Sequence, residues 1–517
     1  MSPAYTPTRR QFLALVGIGS AAALAACSTS STSGDGRLRL AMLQPPRSGL
    51  NPLTDDAFKL SRWSCAETLV VLDAEGGAQP ALATEWTQDN ETTWRFTIRQ
   101  GVTFHDGTEL TAEQVAACLS FAAAYTTPPR ILDGTELTAT ADGGDVVVTT
   151  SSADPLVPQR LSSPQLAILA AGAYPDQPDG AVNPVGYGTG PFRLTTLNGT
   201  ASATLERYDD YWGDKAAAPG IDVTFVPDGT ARGAALRTST ADLVEAIPVS
   251  QAASLEDSLL HEVPMPRTAT LYLNTRSGVF TDPAIRAAVR DAVDPDALIT
   301  TVYEGHADPA AGLLGPALTW AAEHRAWGSQ VFAGSSGAAA TGKASGATKA
   351  GSVPAGTTIT LGSYTDRPEL GEIVVLLAQQ LEAAGFTVTT DVREYSQIEP
   401  DALAGAFDAF LLSRATVLDS GDPVAYMVSD FSSSGSFSLS FLADDAVDSA
   451  VTRAGALEVG TERHKAIMAA EQAILATGAA VPLLHERVLQ GEAAGLSGAE
   501  RDPRERALIT TATKISQ

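Results

Sequence analysis

His105-Asp106 places an imidazole beside a carboxylate, two of the three groups that activate a nucleophile in acyl transfer. The third is missing: behind the first 27 residues no Gly-x-Ser-x-Gly turn exposes a serine. His105-Asp106-Gly107 is therefore read as a tight turn, with Asp106 bonding the backbone and Gly107 taking a positive φ. The run Gly186-Tyr187-Gly188-Thr189-Gly190 has the glycine density of a phosphate cradle. No Lys-Ser/Thr follows it and no helix opens after it, so it too is read as a turn. Six histidines scattered over 517 residues show no metal-ligand spacing, and neither do the three cysteines. Cys118 lies in the apolar helical stretch 115–121 and suits a small core residue. A disulfide from it to Cys65 is left open, because it depends on the Cα separation. Trp63, Trp86, Trp94 and Tyr211-Trp212 are read as packing residues rather than a sugar platform. The chain is expected to be no enzyme and to hold no metal or cofactor.

One thiol has a chemistry of its own. Arg9-Arg10 followed by the short apolar run Phe12–Ala26 reads as an export signal, too short and too rich in Ala and Gly for a membrane span. The arginine pair resembles the twin-arginine type of signal. Leu24-Ala25-Ala26-Cys27 resembles the lipobox of bacterial lipoproteins, which implies that the Cys27 thiol takes a diacylglyceryl group after residues 1–26 are removed. Two acyl chains suffice for stable anchoring. Residues 27–36 have almost nothing apolar to bury and should form a flexible tether.

Roughly 480 residues follow, too many for one core, so two or three lobes are expected. The net charge is −26, with no basic cluster to contact phosphates, which excludes nucleic-acid binding. The body alternates β-rich runs with amphipathic helices, the pattern of an α/β protein. Strands are predicted at 38–43, 94–98 and 145–150. Thr111-Ala-Glu-Gln114 has the form of a capping box opening a helix to Tyr125. Asp282-Pro283 and Asp294-Pro295 mark two further helix starts. A β-α-β unit is read at 358–364, 370–384 (stopped by Gly385) and 387–392. A buried strand at 407–412 follows, then helices at 444–457 and 462–476 and a last strand at 480–484. Residues 332–357, nearly all Ala, Gly, Ser and Thr, are expected to be a flexible surface loop.

Several blocks together resemble a family of ABC-transporter solute-binding proteins, family 5, which includes dipeptide-, oligopeptide- and nickel-binding members. They are Pro80–Trp86, Trp94–Gly101, Val102–Val115 (Val-Thr-Phe-His-Asp-Gly-Thr), Asn183–Phe192, Tyr208–Gly213, Leu273–Thr275 and Ile285–Val293. The resemblance implies a two-lobed α/β fold of the periplasmic-binding-protein kind (type II), with an extra subdomain, closing about a hinge on its ligand. Lobe I would comprise 37–61, 184–270 and 480–517, its extra subdomain 62–183, and lobe II 271–479.

The resemblance also implies ligand contacts. Asp419, in the stretch Leu412–Val424, lines up with the acid that holds a peptide α-ammonium. Arg367 aligns with the arginine that receives a dipeptide carboxylate. Arg414 stands where peptide binders usually carry Trp, whereas nickel–metallophore binders carry an Arg near this point. Gln165, after Ser163-Pro164, replaces a second arginine of those metal-chelate binders, so a small peptide is ranked above a metal–chelator complex. The expected partners are that solute, ABC permease subunits and, through Cys27, the outer face of the cell membrane. A monomer is expected. A sensory or scaffold lipoprotein on the same fold is the remaining alternative.

Overall fold

The computed structural model describes residues 35–177, 179–325, 351–417 and 420–516. The export signal with Arg9 and Arg10, Cys27, the tether to residue 34, residues 332–350 of the expected loop, and Asp419 lie outside the described residues.

Eleven strands, labelled in chain order, form the main sheet. They are β1 (Leu38–Met42), β2 (Phe192–Asn198), β3 (Ser202–Arg207), β4 (Gly220–Phe225), β5 (Leu243–Val244), β6 (Leu260–Leu273), β7 (Ala307–Pro309), β8 (Thr358–Tyr364), β9 (Thr387–Arg393), β10 (Ala409–Ala415) and β11 (Ala480–Glu492). Their order is β9-β8-β10-β6-β11-β5-β1-β4-β3-β2, with β7 also on β11. β8 runs parallel to β9 and β10, and β1 parallel to β4 and β5. A separate antiparallel sheet of four strands (83–90, 93–98, 137–142 and 145–150) carries the helix Ala112–Ala124.

The burial pattern divides this α/β chain into two lobes. One large core gathers residues from Ala269 to Leu484. The other joins Leu38 through Phe225 with Leu508 and Ile509, and a small third cluster around Ala41, Leu236 and Leu489 adjoins it. Residues 62–183 share the core of this first lobe, and the Ala269–Leu484 body is the second: Trp63, Phe96 and Phe104 pack in one cluster with Leu38 and Phe192.

Local signals explain most elements. The Thr111 hydroxyl accepts the Gln114 amide and the Gln114 side chain accepts the Thr111 amide, both at 3.3 Å, a complete capping box. Asp282 and Asp294 cap the helices Pro283–Ala292 and Pro295–Val302. The helix Pro368–Ala383 ends before Gly385, whose φ of +103° is left-handed. Two expectations change. The end of the expected loop, 351–357, packs on the second lobe, where the Gly351 amide donates to the Ala284 carbonyl at 3.0 Å. The last strand runs on from Leu484 to Glu492 because its polar residues find partners. His485 Nδ1 is 2.9 Å from the Thr268 hydroxyl, Arg367 donates to Glu486, and Arg487 Nε donates to Asp308 at 2.9 Å. Cys65 and Cys118 are free, buried thiols; burial raises both pKa values, that of Cys65 to about 12.

The two turn-like motifs turn out to pack on each other. The His105 amide donates to the Gly188 carbonyl and its Nε2–H to the Gly190 carbonyl, each at 2.8 Å. The Tyr208 ring meets the imidazole edge-on at 4.9 Å. Burial pushes the His105 pKa down to about 4, so the ring is neutral and its Nδ1 has no partner among the described residues. The glycines permit this approach. A Cβ on Gly188 would stand 2.1 Å from the Cys65 carbonyl oxygen, and one on Gly190 2.1 Å from that of Ser64.

Gly188→Ala and Gly190→Ala are expected to cost about 3 kcal/mol or more in urea unfolding. Gly186→Ala, with open space but a φ of +81°, should cost roughly 1–2 kcal/mol. His105 sets an acid limit. Its stabilisation is complete above its ordinary value of 6.5 and declines as pH falls towards 4, because the unfolded chain takes up the proton first. The urea midpoint should fall across that window, and less so in His105→Gln.

Candidate functional site

The parallel strands β9, β8 and β10 end at one edge of the second lobe, at Arg393, Tyr364 and Ala415. Sheets of this kind bind ligands in the crevice beyond such carboxyl ends. There the Tyr364 hydroxyl lies 3.4 Å from the Ser413 carbonyl, and its ring meets Tyr395 edge-on at 5.0 Å.

β6 passes beside this edge with a register shift between Pro264 and Thr268. Pro264 and Pro266 offer no amide to a ladder, so the strand bulges here and presents Arg267. Arg267 Nη1 donates to the Ser413 carbonyl at 3.1 Å, while its Nε is buried with no partner among the described residues. Burial, then the neighbouring Arg367, lower the Arg267 pKa. From β11, Glu486 accepts Arg367 Nη1 on one oxygen at 2.6 Å, and its other oxygen, also buried, has no partner among the described residues. Burial opposes the charge on Arg367, but Glu486 outweighs it and raises the pKa. The Arg367 side chain keeps 35% of its surface open, as a group lining a crevice would.

Arg414 forms a second cluster. Its Nε and Nη2 donate to the two oxygens of Asp430 at 3.0 and 2.8 Å, a bidentate pair, and its guanidinium lies 4.2 Å from the Phe437 ring centre. Asp430 is fully buried and also accepts the Tyr272 hydroxyl at 3.3 Å. Burial disfavours the charged Arg414, yet Asp430 prevails and its pKa is raised.

On the first lobe Arg62 ends the helix Ala57–Arg62 and pairs with Glu245; its Nε is buried with no partner among the described residues. The turn Asp502–Arg506 lies beside it, and Arg504 Nη2 donates to the Leu72 carbonyl at 3.2 Å. Glu75, Gly76 and Gln159 line one narrow crevice with Trp320, Asp422 and His464, so the lobes meet there as well.

Of the three contacts expected from the resemblance, Arg367 and Arg414 stand at this edge, each already holding a carboxylate of its own lobe or of β11. Asp419 lies outside the described residues. Arg267 and Glu486 were not anticipated. Their signal was available: charged residues interrupt two otherwise apolar runs, Met265-Pro266-Arg267-Thr268 and Leu484-His485-Glu486-Arg487-Val488.

Two α/β lobes joined by two long strands, with unmatched polar groups at their junction, define a solute-binding protein. Residues 77–438 match the bacterial extracellular solute-binding proteins, family 5, and the chain belongs to that family. The nickel-binding protein NikA of Staphylococcus aureus is 26% identical over 362 residues, 68% of this chain and 69% of NikA. The glutathione-binding protein GsiB of Salmonella typhi is 30% identical over 270 residues, 50% of this chain and 51% of GsiB, so the match spans about half of that relative. The structure of DppA from Helicobacter pylori in complex with the peptide STSA superposes with a TM-score of 0.70 at 19% identity. That superposition covers 93% of this chain and 98% of DppA, and it shows the fold. The family serves ABC import by binding solutes, and the chain is not an enzyme. Among the described residues no helix is long and apolar enough to cross a membrane.

Arg414→Gln strands the buried Asp430 and is expected to cost about 3–5 kcal/mol in urea unfolding. Adding Asp430→Asn should recover part of that loss. Additive losses would show that the pair does not act as a unit.

Proposed function

We propose that the mature chain is a lipid-anchored receptor on the outer face of the cell membrane that captures a small peptide and delivers it to the permease of an ABC importer. One observation carries the ligand class. At the strand ends a buried donor (Arg267 Nε) and a buried acceptor (Glu486 Oε1) stand on paired strands, neither of them matched among the described residues. A peptide offers carbonyls, amides and charged ends in one molecule, and can satisfy both kinds. In this reading 37–61, 184–270 and 480–517 form lobe I, with 62–183 as its extra subdomain and 271–479 as lobe II. The lobes close about β6 and β11. Asp419 receives the α-ammonium, and Arg367 reaches the carboxylate while remaining on Glu486. Arg414 braces the wall through Asp430.

A second reading, a metal ion bound with an organic chelator, is favoured by Arg414 and by the similarity to NikA over two thirds of the chain. In it the guanidiniums would hold the chelator's carboxylates.

Thermal-shift titration of the purified mature chain with di- to pentapeptides and with nickel–histidine complexes separates the two. A saturating peptide at a hundred times its Kd should add about 2.7 kcal/mol of stability. A shift with the nickel complex alone would replace the peptide by the chelate, and Cys27→Ser should release the chain from the membrane.

A further inference from the structure

The first lobe reaches the second through a hairpin, in which Val70–Leu72 pairs with Ala78–Pro80. Strand alternation sends Val70 into the core of its own lobe and leaves Val71 49% exposed. Leu72 shares the face of Val70 but is not part of that core, and its side chain lies against Gly421 of the second lobe. A Cβ at Gly421 would stand 2.6 Å from Leu72 Cδ1, so no larger residue fits there with Leu72 in place. At the tip of the hairpin, a Cβ at Gly76 would be 3.5 Å from the Gly421 carbonyl oxygen, which is ordinary contact. A side chain and a stretch of backbone from the hairpin thus meet one glycine of the opposite lobe.

Each half of this contact is fixed by its own lobe. The Asp73 carboxylate accepts the amides of Glu75 and Gly77 at 3.1 and 2.7 Å and the Gln79 side chain at 2.7 Å, which sets the hairpin turn. Arg504 Nη2 holds the Leu72 carbonyl at 3.2 Å. On the other side the Asp422 carboxylate accepts the Val424 amide at 2.9 Å and Arg463 Nε and Nη2 at 2.7 and 3.0 Å. Arg463 is itself buried, and its Nη1 donates to the carbonyls of Ala454 and Gly455. Among the described residues no hydrogen bond or ion pair joins the hairpin to residues 420–424, so the contact is packing alone. Two stiff parts that touch only by packing can separate and rejoin as units.

We propose that Leu72 and Gly421 form a latch between the lobes, a knob of the first seated on a glycine notch of the second, which biases the chain towards the arrangement with its lobes together. The latch rests on the reading that the lobes close about β6 and β11. It is protein packed on protein, so it raises the affinity for every solute by one common factor and leaves the choice among solutes to the crevice.

Spin labels at Gln88→Cys on the first lobe and Glu458→Cys on the second, both exposed positions, read the distance between the lobes by double electron–electron resonance. The mature chain carries Cys27→Ser for this measurement, and burial shields the thiols of Cys65 and Cys118 from the label. Without added solute, Leu72→Ala should move the proportion of molecules about tenfold towards the longer distance. Leu72→Met keeps the volume of the knob and should move it little. Gly421→Ala displaces the knob from the opposite lobe and should act as Leu72→Ala does. The Tm of each variant confirms folding. Two distances whose proportions ignore both Leu72→Ala and Gly421→Ala would overturn the latch and leave the hinge standing. A single distance shared by all four proteins would overturn both.

Discussion

The chain passes between its two large cores along β6 and β11, and this antiparallel pair constrains everything at the junction. Two strands crossing between lobes are not wholly apolar, because they leave one core before they enter the next. They cannot carry loose charges either, since buried charge without a partner is costly. The structure resolves this by strand alternation. Glu486 faces the crevice with Arg267 and Arg367. His485 and Arg487 point the other way, His485 to Thr268 and Arg487 to Asp308 on β7 and to Glu262. The bulge between Pro264 and Thr268 relieves the ladder where bending would strain it, and it is also what presents Arg267.

Charge matching then decides which groups are left for a solute. An arginine at a strand end is not by itself a ligand contact. Arg414 is bound at two oxygens of a fully buried carboxylate and stacked on Phe437, so it stiffens the end of its strand. Arg367 is shared, with Glu486 on one side and an open surface on the other. Arg267 is less completely paired than either among the described residues. The ranking of these three guanidiniums follows from the positions of Asp430, Glu486 and Ser413, which come from a helix, a distant strand and a neighbouring strand.

The motifs that carry the family resemblance most strongly do a different job. They form a knot in which an imidazole, two carbonyls and two glycines let separate segments cross at backbone contact. Close backbone crossing tolerates few substitutions, because a single methyl group at Gly188 or Gly190 would overlap a carbonyl oxygen. Those blocks therefore identify the fold.

The sequence by itself determined the α/β class, the capping box at Thr111, the Asp-Pro helix starts and the β-α-β unit around the helix Pro368–Ala383. Each of these is written in residues close together along the chain. It also pointed to the strand-end stretch bearing Arg414 and to the turn bearing Arg367. What only the tertiary structure decided is the pairing: that Arg367 meets Glu486, 119 residues away, that His105 meets Gly190, and that Glu486 continues a strand rather than ending it. A charge looks alike in sequence whether or not it is neutralised. The free energy that separates a wall residue from a binding residue lies in a partner that folding brings from far along the chain.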